Sequence, residues 1–198
     1  MEQVQTADRE AGQDVTNCFV IDGRSSRFTV RAFATGLLSA MGHNPTISIR
    51  DFSGEIRFNP DKLEAGAFRL AVRAASLGIQ DDISSNDRRE MERVMNEEVL
   101  ETAKFPEIVY EASRIAVTRL GDALYAASLD GALSLHGVVH NEPITARVTC
   151  MGAMLRASGD LSLSQSAYNI KPVSVAGGAL KVKDELKLSF EIVARKPT

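Results

Sequence analysis

The histidines, the cysteines, Tyr168 and several adjacent carboxylates are the side chains here whose chemistry is most easily recruited, and their spacing decides what they can do. His136 and His140 lie within the alternating run Asp130-Gly-Ala-Leu-Ser-Leu-His-Gly-Val-Val-His-Asn-Glu-Pro-Ile-Thr145. On a single strand they would stand ~13 Å apart, too far to share a metal ion. Across a hairpin turn they approach, but no third ligand follows at a metal-site spacing, so both read as structural residues of a hairpin. His43, in Met41-Gly-His-Asn-Pro45, has two readings: a surface or capping residue, or a polar contact to the head group of a ligand. His43 and Tyr168 are also the side chains that would serve as acid or base if the protein were an enzyme.

The remaining candidates carry less. Asp81-Asp82 and Glu97-Glu98 are neighbours in sequence, so their side chains point in different directions and make poor acid and base partners. The run Ala176-Gly-Gly-Ala-Leu-Lys-Val-Lys183 lacks the spacing of a phosphate-binding loop and reads as a loop before a strand. Cys18 and Cys150 are the only cysteines and follow no metal or redox pattern, so reduced thiols are expected. Twenty-three basic against 26 acidic residues leave a net charge of -3, which argues against nucleic acid as a partner. No apolar run approaches the roughly 18 residues of a membrane span, and the first 17 residues are polar and acidic, unlike a secretory leader. A cytoplasmic location is the expectation, or a periplasmic one if an exported precursor was trimmed.

Elements must now be found to position these residues. At 198 residues and 44% hydrophobic content the chain suits one domain, with residues 1–16 as a flexible tail and 17–196 as the folded unit. Most of that unit alternates with period two: Phe28, Val30 and Ala32; Phe68, Leu70, Val72 and Ala74; Ile108, Tyr110 and Ala112; Leu133 and Leu135; Ile144 to Cys150; Leu155 to Leu163; and Leu180 to Ile192 as a single last run. Between Ile47/Ile49 and the set Phe52, Gly54, Ile56 and Phe58 the phase shifts, which suggests a bulge within one strand. Two stretches differ. Leu37, Leu38 and Met41, bracketed by Gly36 and Gly42, predict a short helical plug, and Ser84 to Glu101, with Met91, Val94 and Met95 on one face, predicts an amphipathic helix. Eight or so antiparallel strands with helical insertions fit an all-β, up-and-down barrel, with a two-sheet sandwich as the alternative. Such a barrel is either filled by its side chains or hollow enough for one apolar molecule, and periodicity leaves both open.

Several short motifs occur in register over Phe19 to Ala194. They are Phe19-x-Ile-Asp22 with Ser25-Ser-x-Phe28, Phe52-Ser-Gly-Glu-Ile-Arg-Phe58 with Asn59-Pro60, Ala74-Ala-Ser76, Phe105-Pro-x-Ile108, and Asp130 to Gly137 with Pro143. Together they resemble the YceI-like family of lipid-binding barrels. Asn169 stands where that family commonly has glycine, and asparagine tolerates the positive φ such a turn requires. The resemblance implies an extended eight-stranded antiparallel lipocalin-like β-barrel, non-catalytic, that carries or sequesters a polyisoprenoid, quinone or fatty chain, with no other cofactor; a homodimer is expected by analogy. The side chains assigned to the ligand are Phe28, Val30, Leu38, Met41, His43, Ile56, Phe58, Leu70, Val72, Met91, Met95, Ile108, Tyr110, Leu133, Leu135, Leu188 and Phe190. The competing class is a solid-cored barrel that recognises a protein on its outer face.

Overall fold

A computed structural model describes residues 17–36, 44–58, 66–175 and 180–197. In chain order the strands are β1 (Asn17–Ile21), β2 (Arg27–Arg31), β3 (Ala34–Thr35), β4 (Thr46–Ile49), β5 (Phe52–Phe58), β6 (Ala67–Arg73) and β7 (Leu77–Ile79). Helix α1 (Ser85–Val94) follows and runs into a π-helical turn at Met95–Val99. Then come β8 (Glu107–Arg119), β9 (Leu124–Leu135), β10 (Val138–Asn141), β11 (Ile144–Met151), β12 (Met154–Ser164), β13 (Ser174–Val175), β14 (Leu180–Val182) and β15 (Glu185–Arg195). Eight strands form a closed antiparallel barrel in the order β1-β5-β6-β8-β9-β11-β12-β15. The ring shuts where Val20 and Ile21 of β1 meet Arg195 and Ala194 of β15. Closure removes the two sticky edges that an open sheet of this length would expose.

Below that ring β15 continues past β1 and pairs with β2, which pairs with β4, which pairs with β7. The expected bulge between Ile49 and Phe52 is instead a corner. β4 belongs to this extension and β5 to the barrel, so the change of phase marks two strands with different partners. The long last run also divides: Leu180–Val182 pairs with β3 and β13 in a small separate sheet, and the barrel strand starts only at Glu185. One bulge does exist, on β8 between Ala112 and Arg114. The predicted plug at Leu37 to Gly42, the tail at 1–16 and the glycine run at 176–179 lie outside the described residues.

The hairpin from Asp130 to Thr145 forms as its pattern requires. Leu135 pairs with Val138 across a two-residue turn in which His136 has φ 52° and Gly137 φ 76°, the left-handed pair of a type I′ turn. A Cβ on Gly137 would also meet the Phe105 ring at 2.6 Å. β10 and β11 keep one register against β9, from Val138↔Leu135 to Thr149↔Leu124, interrupted at Glu142-Pro143 because proline has no N–H to donate.

Helix α1 is capped at its start by the Ser84 hydroxyl, which accepts from the Asp87 N–H at 3.1 Å. It lies along the free edge of β7. Glu92 Oε1 accepts from the Ile79 N–H at 3.0 Å, and Arg88 donates to the carbonyls of Ile79 and Asp81. On the solvent side Arg93 pairs with Glu90, Glu97 and Glu98. Met95 and Leu100 turn inward and join Val72, Leu77, Leu135, Leu163, Tyr168 and Ile170 in a packed cluster that plugs one end of the barrel.

Candidate functional site

Period-two alternation sends every second side chain of the eight barrel strands into a shared interior. At the plugged end that interior is solid. Elsewhere it is hollow: an apolar lumen runs from Ile108 to Val117 along β8 and from Tyr125 to Leu133 along β9, with about 170 Å³ reachable by the centre of a water molecule. A single water needs only ~10–15 Å³ by that measure, so the space has room for far more than one water. Nine residue steps on β8 correspond to roughly 30 Å of tilted strand, which makes the lumen long and narrow.

The lumen stays open because small residues occupy inward positions. Ala127 and Ala146 face each other across β9 and β11, Ala157 lies opposite Val148, and Gly131 opposite Ala112. The Tyr110 ring lies where a side chain on Gly131 would be, 2.5 Å from the position its Cβ would take. Inward residues such as Phe28, Ile56, Leu70, Leu133, Leu188 and Phe190 are only half-buried, and what they face is the lumen.

The wall is almost entirely carbon. Arg57, Glu142, Thr29 and Ser189 touch its margin, and Tyr110 within the wall and Tyr168 beside it are both engaged with Glu142. The Tyr110 hydroxyl donates to the main-chain oxygen of Glu142 at 3.0 Å, and the Tyr168 hydroxyl donates to Glu142 Oε1 at 2.8 Å. Burial pushes the Tyr110 hydroxyl up to about 12, reinforced by the negative charges of Asp130 and Glu142. Tyr168 shifts in the same direction, through burial first and then its bond to Glu142. Both tyrosines are held neutral and serve as fixed donors, which makes Tyr168 unsuited to act as a base at ordinary pH.

The two hairpin histidines fasten the segment that carries Tyr168. His140 Nε2–H donates to the Ala167 carbonyl at 2.8 Å, and its ring meets Tyr168 edge-on at 5.1 Å. His136 Nδ1–H donates to the Tyr168 carbonyl at 3.1 Å, with its Nε2 2.8 Å from Glu101 Oε2 and its ring against Phe105. Asn169 closes the same segment at φ 57°, the left-handed turn that the sequence allows. Among the described residues no three histidine, cysteine or acidic side chains gather as a metal site. Cys18 and Cys150 are free thiols on different strands, and burial raises the Cys150 thiol.

Of the residues assigned to a ligand from sequence, Phe28, Val30, Ile56, Phe58, Leu70, Val72, Ile108, Tyr110, Leu133, Leu188 and Phe190 line the lumen. Leu135 and Met95 sit in the end plug, and Met91 lies half-buried on α1, away from the wall. Leu38, Met41 and His43 lie outside the described residues. The sequence reading omitted Ile115, Val117 and Tyr125, whose strands continue past the stretch it marked, and the inward alanines. The alanines were legible as a signal: small residues at inward positions of several neighbouring strands leave room that leucines would fill.

A closed eight-stranded antiparallel barrel with an apolar lumen defines the lipocalin-like class of fold. Within it the chain belongs to the YceI-like domain family, whose model matches residues 19–194. No curated protein matches the sequence. Among solved structures it is similar to BcnA of Burkholderia cenocepacia, with 19% identity and TM-score 0.63 over 87% of this chain and 98% of that one. It is also similar to a polyisoprenoid binding domain from Saccharophagus degradans, with 15% identity and TM-score 0.67 over 90% and 98%. The YCEI protein of Campylobacter jejuni matches at 13% identity and TM-score 0.55, over 77% of this chain and 85% of that one.

Proposed function

We propose that this protein holds a long apolar chain in its lumen, of the polyisoprenoid, quinone or fatty class, and carries or sequesters it without transforming it. The observation that carries this reading is a long lumen whose wall is almost entirely carbon, beside which the hydroxyls of Tyr110 and Tyr168 are already committed to Glu142. A hydrocarbon is the guest that loses nothing in such a place, because an unpaired polar group there would cost several kcal/mol. Each methylene taken from water contributes about 0.8 kcal/mol, so ten contribute on the order of 8 kcal/mol before the costs of association. Binding therefore requires no elaborate polar site. The relative described as a polyisoprenoid binding domain supports the same ligand class.

The test is native mass spectrometry of the freshly purified protein, paired with an organic extract of the same sample. A stoichiometric apolar adduct that leaves on denaturation is the expected result. A bare mass, with no uptake from a panel of isoprenoid alcohols, quinones and fatty acids, would overturn the reading.

A further inference from the structure

At the end of the lumen away from the plug, two aromatic rings meet across the barrel. Phe58, the last residue of β5, and Tyr125, the second residue of β9, approach edge to face with centroids 5.9 Å apart and planes at 70°. β5 and β9 are not neighbours: β6 and β8 lie between them in the ring. The contact therefore crosses the lumen and does not run along the wall. Both residues belong to the lining, and each is the outermost lining residue of its strand at this end. Phe58 is 8% exposed, so its ring is fixed by its neighbours. Beneath the pair, Val117 and Ala127 face each other on β8 and β9, and the lumen continues from there to Val72 and Ile108.

We infer that the Phe58–Tyr125 pair is the end wall of the lumen and sets the longest chain the protein accepts. This rests on the proposal that the lumen holds an apolar chain, and names the residues that select its length. The physical basis is the stiffness of packed aromatic rings. Close-packed interiors do not stretch for an extra methylene, so a chain that reaches the pair must bend, leave its remainder in water or displace a ring. Up to that length each added methylene strengthens binding, and beyond it the gain stops. At about 0.8 kcal/mol per methylene, two more methylenes admitted correspond to roughly a tenfold gain in affinity.

The experiment measures affinity for a graded series of linear isoprenoid alcohols, using native mass spectrometry and competition against a fluorescent fatty probe. Proteins compared are the wild type, Tyr125→Ala, Tyr125→Phe and, as a wall change distant from the pair, Ile108→Ala. The wild type is expected to gain affinity with length up to a ceiling. Tyr125→Ala should raise that ceiling, with at least about tenfold tighter binding of the first chain beyond it, measured relative to the same protein's binding of shorter chains. Tyr125→Phe and Ile108→Ala should keep the wild-type ceiling. Phe58→Leu provides a second opening of the end wall should Tyr125→Ala fold poorly. A ceiling that stays put in a folded end-wall variant overturns the inference, as does a variant that only exchanges ligand faster, since the pair would then be a gate. Absence of binding by the wild type would instead overturn the proposed function itself.

Discussion

Leu133 and Leu135 lie two residues apart on β9, point to the same side of the sheet, and belong to regions of opposite character. Leu133 faces the lumen, while Leu135 is 6% exposed within the plug formed with Met95, Leu163 and Tyr168. Both regions arise from the same alternation of apolar and polar residues. What differs is what each strand meets inside. At the plug, the π-helical turn after α1 and the turn at 165–170 bring Met95 and Tyr168 inward, whereas at the lumen the wall consists of the barrel strands, with small side chains such as Ala127, Ala146 and Ala157 among the larger ones. A barrel strand thus provides a wall, and sequence-distant insertions decide whether that wall encloses a core or a cavity.

Truncation tests this contrast most strongly. Leu135→Ala is expected to cost about 2–5 kcal/mol in urea denaturation, because it opens a void in a packed cluster. Leu133→Ala should cost only about 1–2 kcal/mol, because its side chain borders space that already exists. Equal costs would mean that the two regions do not differ in packing.

A smaller effect separates the regions by pH. Tyr110 stands at the boundary, and its hydroxyl is shifted up to about 12 from an ordinary value of 10.0. The unfolded chain therefore loses this proton first. Stability linked to Tyr110 is complete below about pH 10 and is lost as the pH rises to about 12, a total of roughly 2–3 kcal/mol. Urea midpoints measured from pH 9 to pH 12 should fall less steeply in Tyr110→Phe than in the wild type; parallel curves would remove Tyr110 from the account. The smallest effect concerns the helix that delivers Met95. Ser84→Ala removes the cap of α1 and should cost about 1 kcal/mol while leaving apolar uptake unchanged, checked by calorimetry and probe binding.

How much of this was legible beforehand differs between the fold and the site. Alternation located nearly every barrel strand, and the run from Asp130 to Thr145 announced a hairpin, because both are local properties of the backbone. The corner between β4 and β5 was not legible: a bulge and a change of partner shift the phase alike. The division at Asp184 had one local sign, an acid in the apolar phase between Val182 and Leu186, and a reading that treats Leu180 to Ile192 as a single run passes over it. For the site, inward-facing residues were recoverable and the boundary between lumen and plug was not. Leu135 resembles Leu133 in every local respect, and sequence-distant residues such as Met95 and Tyr168, 40 positions before and 33 after it, distinguish them.

Most strands here have partners on both sides through ring closure, but β7 lies at an open margin of the extension. Its outward N–H and carbonyl at Ile79 are occupied by Glu92 and Arg88 of α1. An incoming strand from another molecule would have to displace a carboxylate and a guanidinium before it could form its first backbone bond. The charged helix is thus a stopper against polymerisation: a molecule built from long apolar strands is kept from adding its neighbours to its own sheet.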